Sequence, residues 1–354
     1  MLSAIRENVR LAPYTTLRIG GIARYFVDVT NEDQLREAVD FAKAKALVIF
    51  VLGGGSNVLI ADAGFKGVVL HIALEGISLE TQKSEVIATV AAGENWDNFV
   101  QQCVAQNLAG IECLSGIPGK VGGTPIQNVG AYGQDVSETI ISVRAFDRQT
   151  KSIVELTNTQ CGFSYRSSIF NSTERDRYVV IAVTFSLKKN GAPALRYPDL
   201  QKHFEASKAL PTLAELRAAV LTIRASKAMV ITPNDPDSQS VGSFFKNPIV
   251  IAEKFAEIKK AAKKLQIKEV PHFPAADNKI KIPAAWLIEQ AGFVKGYSRG
   301  RVGISSKHTL ALINKSNATA DEMLTLMRRI QEEVNKRFGV ALLPEPIYIS
   351  SEGW

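Results

Sequence analysis

Glycine is concentrated in two runs of this chain, Leu52-Gly-Gly-Gly-Ser-Asn-Val58 and Gly116-Ile-Pro-Gly-Lys-Val-Gly-Gly-Thr-Pro-Ile-Gln-Asn-Val-Gly-Ala-Tyr-Gly133, and neither can continue a helix or a strand. The first follows Leu47 to Leu52, an apolar stretch that reads as a buried strand. Its glycines therefore stand where a strand ends and main-chain N–H groups are free to face an anion such as a diphosphate. The second run offers Thr124 and Asn128 as donors, with Ser115 just ahead of it. This suits main chain that approaches a flat, charged molecule along an extended path. One such loop is compatible with an ordinary tight turn. Two together point to a large dinucleotide.

The common phosphate motifs are excluded by the letters. Gly53-Gly-Gly-Ser-Asn57 lacks the Gly-Lys-Ser/Thr ending whose lysine and magnesium-binding hydroxyl define a P-loop. The sixth position of a Gly-x-Gly-x-x-Gly fingerprint is Val58 counted from Gly53 and Ile60 counted from Gly55, so a Rossmann phosphate turn has no support.

Composition narrows the class further. With 354 residues, 46% hydrophobic and 22% charged, the chain can bury full cores in two or three domains, and disorder is not indicated. No apolar run approaches the ~20 residues of a membrane span, and Met1 to Arg10 lacks the apolar stretch of a signal peptide. A cytoplasmic protein is expected. Cys103, Cys113 and Cys161 have no Cys-x-x-Cys spacing, and His71, His203, His272 and His308 are scattered, so neither a disulfide framework nor a metal site is expected. The net charge of +7 gathers at Lys254, Lys259, Lys260, Lys263 and Lys264, on a helix whose other face is Ile251, Phe255, Ile258, Ala262 and Leu265. That is a solvated face. No interleaved aromatics mark it as a nucleic-acid surface.

Periodicity divides the chain. A strand at 24–29, a helix Glu32 to Ala44 capped by Asn31, and a strand Leu47 to Leu52 make a β–α–β unit. A second α+β unit has strands at 86–92, 140–147 and 178–187 and a helix at 95–108 carrying Trp96, Phe99, Val100 and Cys103. A further helix starts at Pro211 to Glu215, where Thr212 and Glu215 form a capping box. After it, a third unit has helices predicted at 249–265, Pro283 to Gln290, and Ala320 to Phe338. The last has Met323, Met327, Ile330 and Val334 on one face, Thr319 and Glu322 as its capping box, and Gly339 as its stop.

Five motifs, in order, carry a resemblance over nearly the whole chain. They are Thr16-Leu-Arg-Ile-Gly-Gly21, Leu52 to Leu59, Ile117 to Gly133, Tyr165-Arg-Ser-Ser-Ile-Phe170 and Gly242-Ser-Phe-Phe-Lys-Asn-Pro248. The chain resembles the UDP-N-acetylenolpyruvoylglucosamine reductase family of peptidoglycan precursor synthesis, in its longer type with an extra substrate-domain loop. The resemblance implies an α+β fold: two FAD-binding subdomains of the vanillyl-alcohol-oxidase (PCMH) type at 1–70 and 71–226, a substrate-binding domain at 227–338, and a C-terminal strand at 339–354 returning to the active site. It implies a monomer that uses FAD and NADPH. NADPH reduces the flavin and leaves, and the enolpyruvyl sugar nucleotide then accepts the hydride to become UDP-N-acetylmuramate.

Residue roles follow from the same resemblance. Hydride addition to an enol ether is hard unless the adjacent carboxylate can take up developing negative charge, so a cation and a proton donor must face it. Arg166 matches the first and Glu345 the second, the latter needing a desolvated site that keeps it protonated. Ser243 matches the proton donor to the α-carbon. Flavin contacts are expected from Gly53, Gly54, Gly55, Ser56, Asn57, Ser115, Pro118, Gly122, Gly123, Thr124, Asn128, Gly130, Ala131, Tyr132 and Arg224. Tyr197, Lys227, Asn247, Phe273 and Gln290 would hold the sugar nucleotide. The chain departs from the family pattern at Ile347, where a basic residue is usual, and at Phe273, where a tyrosine could bond a phosphate. An alcohol oxidase of the same fold would keep the flavin loops without Arg166, Ser243 and Glu345. A nucleotide-sugar-binding protein without turnover would keep the fold alone.

Overall fold

The structure, a computed structural model, describes residues 5–207 and 209–353. The first unit contains β1 (Ile5–Arg10), β2 (Ile22–Val29), α1 (Glu32–Ala44), β3 (Ile49–Leu52), β4 (Val58–Ile60) and β5 (Phe65–Ile72). Its sheet has the order β1-β2-β5-β3, with β2 and β3 both parallel to β5. Strand alternation sends Val27 and Val29 to one face, under α1, and Phe26 to the other. Asn31 caps α1 through the Gln34 N–H at 2.9 Å, as its sequence predicts.

The second unit contains β6 (Ile77–Gln82), β7 (Glu85–Ala91), α2 (Trp96–Ala105), β8 (Leu108–Ala109), β9 (Gly130–Ala131), β10 (Gln134–Asp135), β11 (Ile140–Asp147), β12 (Ser152–Thr157), β13 (Tyr178–Lys189), α3 (Pro198–His203) and α4 (Leu213–Ser226). Its antiparallel sheet runs β12-β11-β13-β7-β6, with β8 added to β13. The predicted helix to residue 108 stops at Ala105, because Leu108 and Ala109 pair with Lys189 and Lys188 instead. One apolar core joins α1 and its side of the first sheet to the second sheet and α2. The first two units are therefore packed face to face.

The third unit contains β14 (Ile249–Val250), α5 (Ala252–Lys264), β15 (Phe273–Pro274), β16 (Ile280–Lys281), α6 (Ala284–Gln290), β17 (Ser298–Arg299), β18 (Val302–Ile304), β19 (Leu312–Asn314) and α7 (Ala320–Phe338). α7 has the predicted ends, with the Thr319–Glu322 capping box and Gly339 in left-handed conformation at φ +63°. α5 starts at Ala252 rather than 249, since Ile249 and Val250 pair with Lys281 and Ile280. Ile251 and Leu265, expected on its apolar face, are exposed, and Phe255, Ile258 and Ala262 do the packing. This unit has its own core, which also takes in Leu17, Ile19 and Leu59 from the first. A final strand, β20 (Ile347–Ile349), returns to pair in parallel with β4.

Candidate active site

A cleft of about 830 Å³ runs where the three units meet, within the size range of ligand sites. Its middle is built from the two glycine runs. A Cβ on Gly54 would lie 2.7 Å from Gly119 Cα, so the runs touch backbone to backbone. Gly55, at φ +60°, sits against the Tyr14 carbonyl and Gly122 against Ala92, so both are required by packing. At Gly123, by contrast, a Cβ would meet nothing within 4 Å. Gly53, Gly54, Gly55, Ser56 and Asn57 all line the cleft, and their main-chain N–H groups donate to no protein group among the described residues. Buried or half-buried N–H groups are normally paired, so this run of free donors suits an anion.

One end of the cleft carries a guanidinium and a carboxyl. Asn57 anchors the carboxyl's segment: its amide donates to Gln127 Oε1 at 2.6 Å, its carbonyl accepts the Ile347 N–H at 3.0 Å, and β4–β20 pairing follows. Glu345, two residues before β20, donates its N–H to the Phe244 carbonyl at 2.9 Å, while Lys246 N–H reaches Leu343 O at 2.9 Å. This pairing sets Ser243 and Glu345 on adjacent segments, and both line the cleft. Arg166, in left-handed backbone at φ +55°, donates from Nη2 to Gly130 O at 2.9 Å. Its Nε is 3.1 Å from Glu345 Oε1, an ion-pair distance, but is misaligned and makes no hydrogen bond. Burial raises the Glu345 carboxyl above the ordinary carboxylate range, against the opposing charges of Arg166 and Lys246. The end thus holds a cation with a donor to spare beside a carboxyl biased toward its protonated form.

The wall above is fixed by α4. Arg217 grips Asp97 with two bonds of 2.7 and 2.9 Å, and Asp97 also accepts the Gly116 N–H at 2.5 Å. Seven residues, or two turns, further on, Arg224 reaches the cleft from the same helix face. It is buried, donates to Met229 O at 2.7 Å, and leaves Nε unpartnered. Tyr132 packs edge-on against Tyr197 with ring centroids 5.3 Å apart, and Lys227 stands 6.0 Å from the Tyr132 ring while bonding Asp199 at 2.8 Å. His308, which sequence reasoning did not single out, also lines this wall. Burial, then Lys227 and Lys295, push its pKa down to about 4, so it is neutral near pH 7. Nothing in its spacing marks it, because His308 reaches the cleft only when β18 and β19 pair.

Most of the residues expected at a ligand do border this cleft: Gly53 to Asn57, Pro118, Gly122 to Thr124, Gly130 to Tyr132, Arg166, Tyr197, Arg224, Lys227, Ser243, Asn247 and Glu345. Four stand away from it. Ser115 is fully buried and donates to Glu112 O at 2.6 Å. Asn128 spends its amide on Ser164 O and Ser137 N–H, at 3.1 and 3.2 Å, and so holds the loop that carries Arg166. Phe273 is 51% exposed in the β15–β16 pair, and the Gln290 carbonyl at the end of α6 accepts from Arg337 at 2.7 Å. Asn247 lines the cleft while its Oδ1 accepts the Ala284 N–H at 2.9 Å, at the start of α6. No group of three or more metal-ligating side chains exists among the described residues, and no helix there is long and apolar enough to cross a membrane.

A run of free N–H groups between two packed α+β units, with buried guanidinium nitrogens left open on either side, fits the class of dinucleotide-binding proteins. Residues 23–157 match the FAD binding domain, and residues 234–349 match the UDP-N-acetylenolpyruvoylglucosamine reductase C-terminal domain. The chain is 45% identical to the UDP-N-acetylenolpyruvoylglucosamine reductase of Thermobifida fusca (strain YX), covering 99% of each chain. It is 45% identical to that of Streptomyces coelicolor, over 97% of this chain and 90% of the other. The crystal structure of the reductase from Thermus caldophilus superimposes with a TM-score of 0.68 at 25% identity, covering 97% of this chain and 99% of that one. The chain belongs to the UDP-N-acetylenolpyruvoylglucosamine reductase family.

Proposed function

We propose that the protein is an NADPH-dependent flavoenzyme that reduces the enolpyruvyl group of UDP-N-acetylenolpyruvoylglucosamine to give UDP-N-acetylmuramate. The observation that carries this is the pairing of an unsatisfied, buried Arg166 Nε with Glu345, whose carboxyl burial raises above the ordinary range, in a cleft lined by five residues whose N–H groups have no protein acceptor. The residues fit FAD: the N–H cradle suits its diphosphate, and Gly123 leaves open space where a side chain would intrude. Held there, FAD would supply hydride transfer from NADPH to the terminal carbon of the substrate's double bond.

The chain's own residues do the rest. Arg166 holds the enolpyruvyl carboxylate and Glu345, protonated, donates a hydrogen bond to it, so that charge developing there is stabilised in a site shielded from water. Ser243 gives its hydroxyl proton to the α-carbon, and the hydroxyl is then restored from solvent or a neighbouring group such as Lys246. Arg224, Lys227, Tyr132, Tyr197 and Asn247 face the sugar nucleotide or the flavin edge. The division at 1–70, 71–226, 227–338 and 339–354 belongs to this proposal, with β5 carrying the first boundary to Ile72. A monomer in the cytoplasm completes it.

Incubation of the purified protein with NADPH and the enolpyruvyl sugar nucleotide tests the reading. Consumption of NADPH with a product heavier by two hydrogens is expected. A protein that binds the nucleotide but leaves it unchanged is a binding protein, and one that oxidises alcohols instead belongs to another activity.

A further inference from the structure

Behind the cleft wall one carboxyl is fully buried and has no cation. Glu112, in the short turn after β8, forms no ion pair among the described residues. Its Oε2 accepts the Gly110 N–H at 2.7 Å, and its Oε1 accepts Gln134 Nε2 and the Ala194 N–H, each at 3.0 Å. A carboxyl taken out of water is costly unless its oxygens are hydrogen-bonded, and a position that only needed filling would hold an apolar side chain without that cost. What the carboxyl does is therefore to be read from its three donors.

Two of them lead to the wall. Gln134 starts β10, whose pairing with β9 closes the turn that carries Tyr132. Its Oε1 accepts the Cys113 N–H at 2.8 Å, so one amide bridges Glu112 and the residue after it. Ala194 lies between the end of β13 at Lys189 and the start of α3 at Pro198, three residues before Tyr197. Its peptide is held on both sides, the N–H by Glu112 and the carbonyl by Cys113 Sγ at 3.3 Å. Burial pushes the Cys113 thiol up to about 12, so it keeps the proton it donates. Tyr197 then opens α3, its carbonyl accepting the Leu200 and Gln201 N–H groups at 3.0 Å each. The ion pair beside it, Arg196 with Glu138, is exposed and contributes little. Glu112 thus joins at one point the two segments whose rings, Tyr132 and Tyr197, pack edge-on at 5.3 Å.

We propose that Glu112 is a positioning residue for the sugar nucleotide: without lining the cleft, its carboxyl sets Tyr197 against Tyr132 and so sets the affinity of that wall for the substrate. This rests on the reading of Tyr197 as a substrate contact. Glu112 touches no reacting atom, so it governs substrate binding and leaves the limiting rates alone.

The test compares Glu112→Ala and Glu112→Gln in steady-state turnover, in urea unfolding, and in single turnovers at saturating NADPH and nucleotide. Alanine frees both donors that lead to the wall. Glutamine keeps one acceptor oxygen for Gln134 and Ala194 and sets its NH2 group against the Gly110 N–H, so it loses stability without releasing the wall. Glu112→Ala should raise KM for the sugar nucleotide at least ~10-fold, the loss of one well-placed contact, with limiting rates of flavin reduction and reoxidation within about twofold of the parent's. Glu112→Gln should lower the urea midpoint and keep the parent's KM. In a Tyr197→Ala background, Glu112→Ala should add little to KM, because the contact it positions is already gone. If Glu112→Ala does not fold, Gln134→Ala, which leaves the carboxyl in place and frees the Tyr132 turn, should show the same pattern in smaller measure. KM values that follow the urea midpoints across the variants, or losses that add in full to that of Tyr197→Ala, would overturn the proposal as a purely structural effect and leave the functional reading standing. Unchanged KM in Glu112→Ala would overturn it too. A parent that does not turn over the nucleotide would remove the functional reading and this inference with it.

Discussion

At Arg166 charge and shape can be separated by one substitution. Lysine keeps the cation but loses the planar fork that holds Gly130 O and leaves Nε open to a second partner. Turnover of Arg166→Lys should fall by at least ~100-fold while NADPH still bleaches the flavin, because the arginine is needed only when the substrate carboxylate is present. Near-normal turnover would remove it from the carboxylate clamp. Ser243→Ala separates the half-reactions in another way: flavin reduction and nucleotide binding should persist, and reoxidation by substrate should slow. Reoxidation at the parent rate would exclude Ser243 as the proton donor. Glu345 adds a pH signature. Its carboxyl is raised in the folded chain, so folding holds a proton that the unfolded chain has released; the stability tied to that proton is complete below the ordinary glutamate range and is lost as pH rises through the folded value. Glu345→Gln has no such slope, so its urea midpoint should gain on the parent's as pH rises from the ordinary glutamate range, while turnover falls. Parallel midpoints across that window would mean that the carboxyl titrates normally.

Element by element, the glycine runs do two jobs that substitution can tell apart. Gly123→Val should leave the flavin-free protein within ~1 kcal/mol of the parent and abolish flavin binding, since its Cβ meets open space that the ligand would need. Gly54→Ala should cost stability with or without flavin, because its methyl group would press on Gly119 Cα. A folded, fully yellow Gly123→Val protein would contradict the placement of the cofactor. The same contrast shows what the letters could reveal. Helices with local stops, α1 under Asn31 and α7 between Thr319 and Gly339, were legible to the residue, since capping is read from neighbours in sequence. The start of α5 and the end of α2 were not, because Ile249 and Leu108 are claimed by strands far along the chain. Glycine density located the cradle but gave no means of separating Gly54, needed by packing, from Gly123, left open. Ser115 and Asn128 have donors of the right kind, but they turn inward to the carbonyls of Glu112 and Ser164. His308 carries no motif, and only strand pairing brings it to the cleft.

Across the whole molecule, the site is assembled from separate units. Arg166 comes from the second, Ser243 from the third, and Glu345 from the segment that β20 docks onto the first. The first two share one core, whereas the third has its own, and the cleft lies along the seam lined by all of them. On the proposed function, NADPH and the sugar nucleotide would meet the same Arg224, Lys227 and Tyr197 wall in turn. The division of labour between the halves of the reaction is therefore the central claim. It is tested most directly by anaerobic rapid mixing of the yellow protein, first with NADPH and then with the enolpyruvyl sugar nucleotide, while flavin absorbance is followed. Full bleaching by NADPH and full recovery by the nucleotide, with one product formed per flavin, is the predicted result. A flavin that NADPH bleaches and the nucleotide leaves bleached would contradict the account.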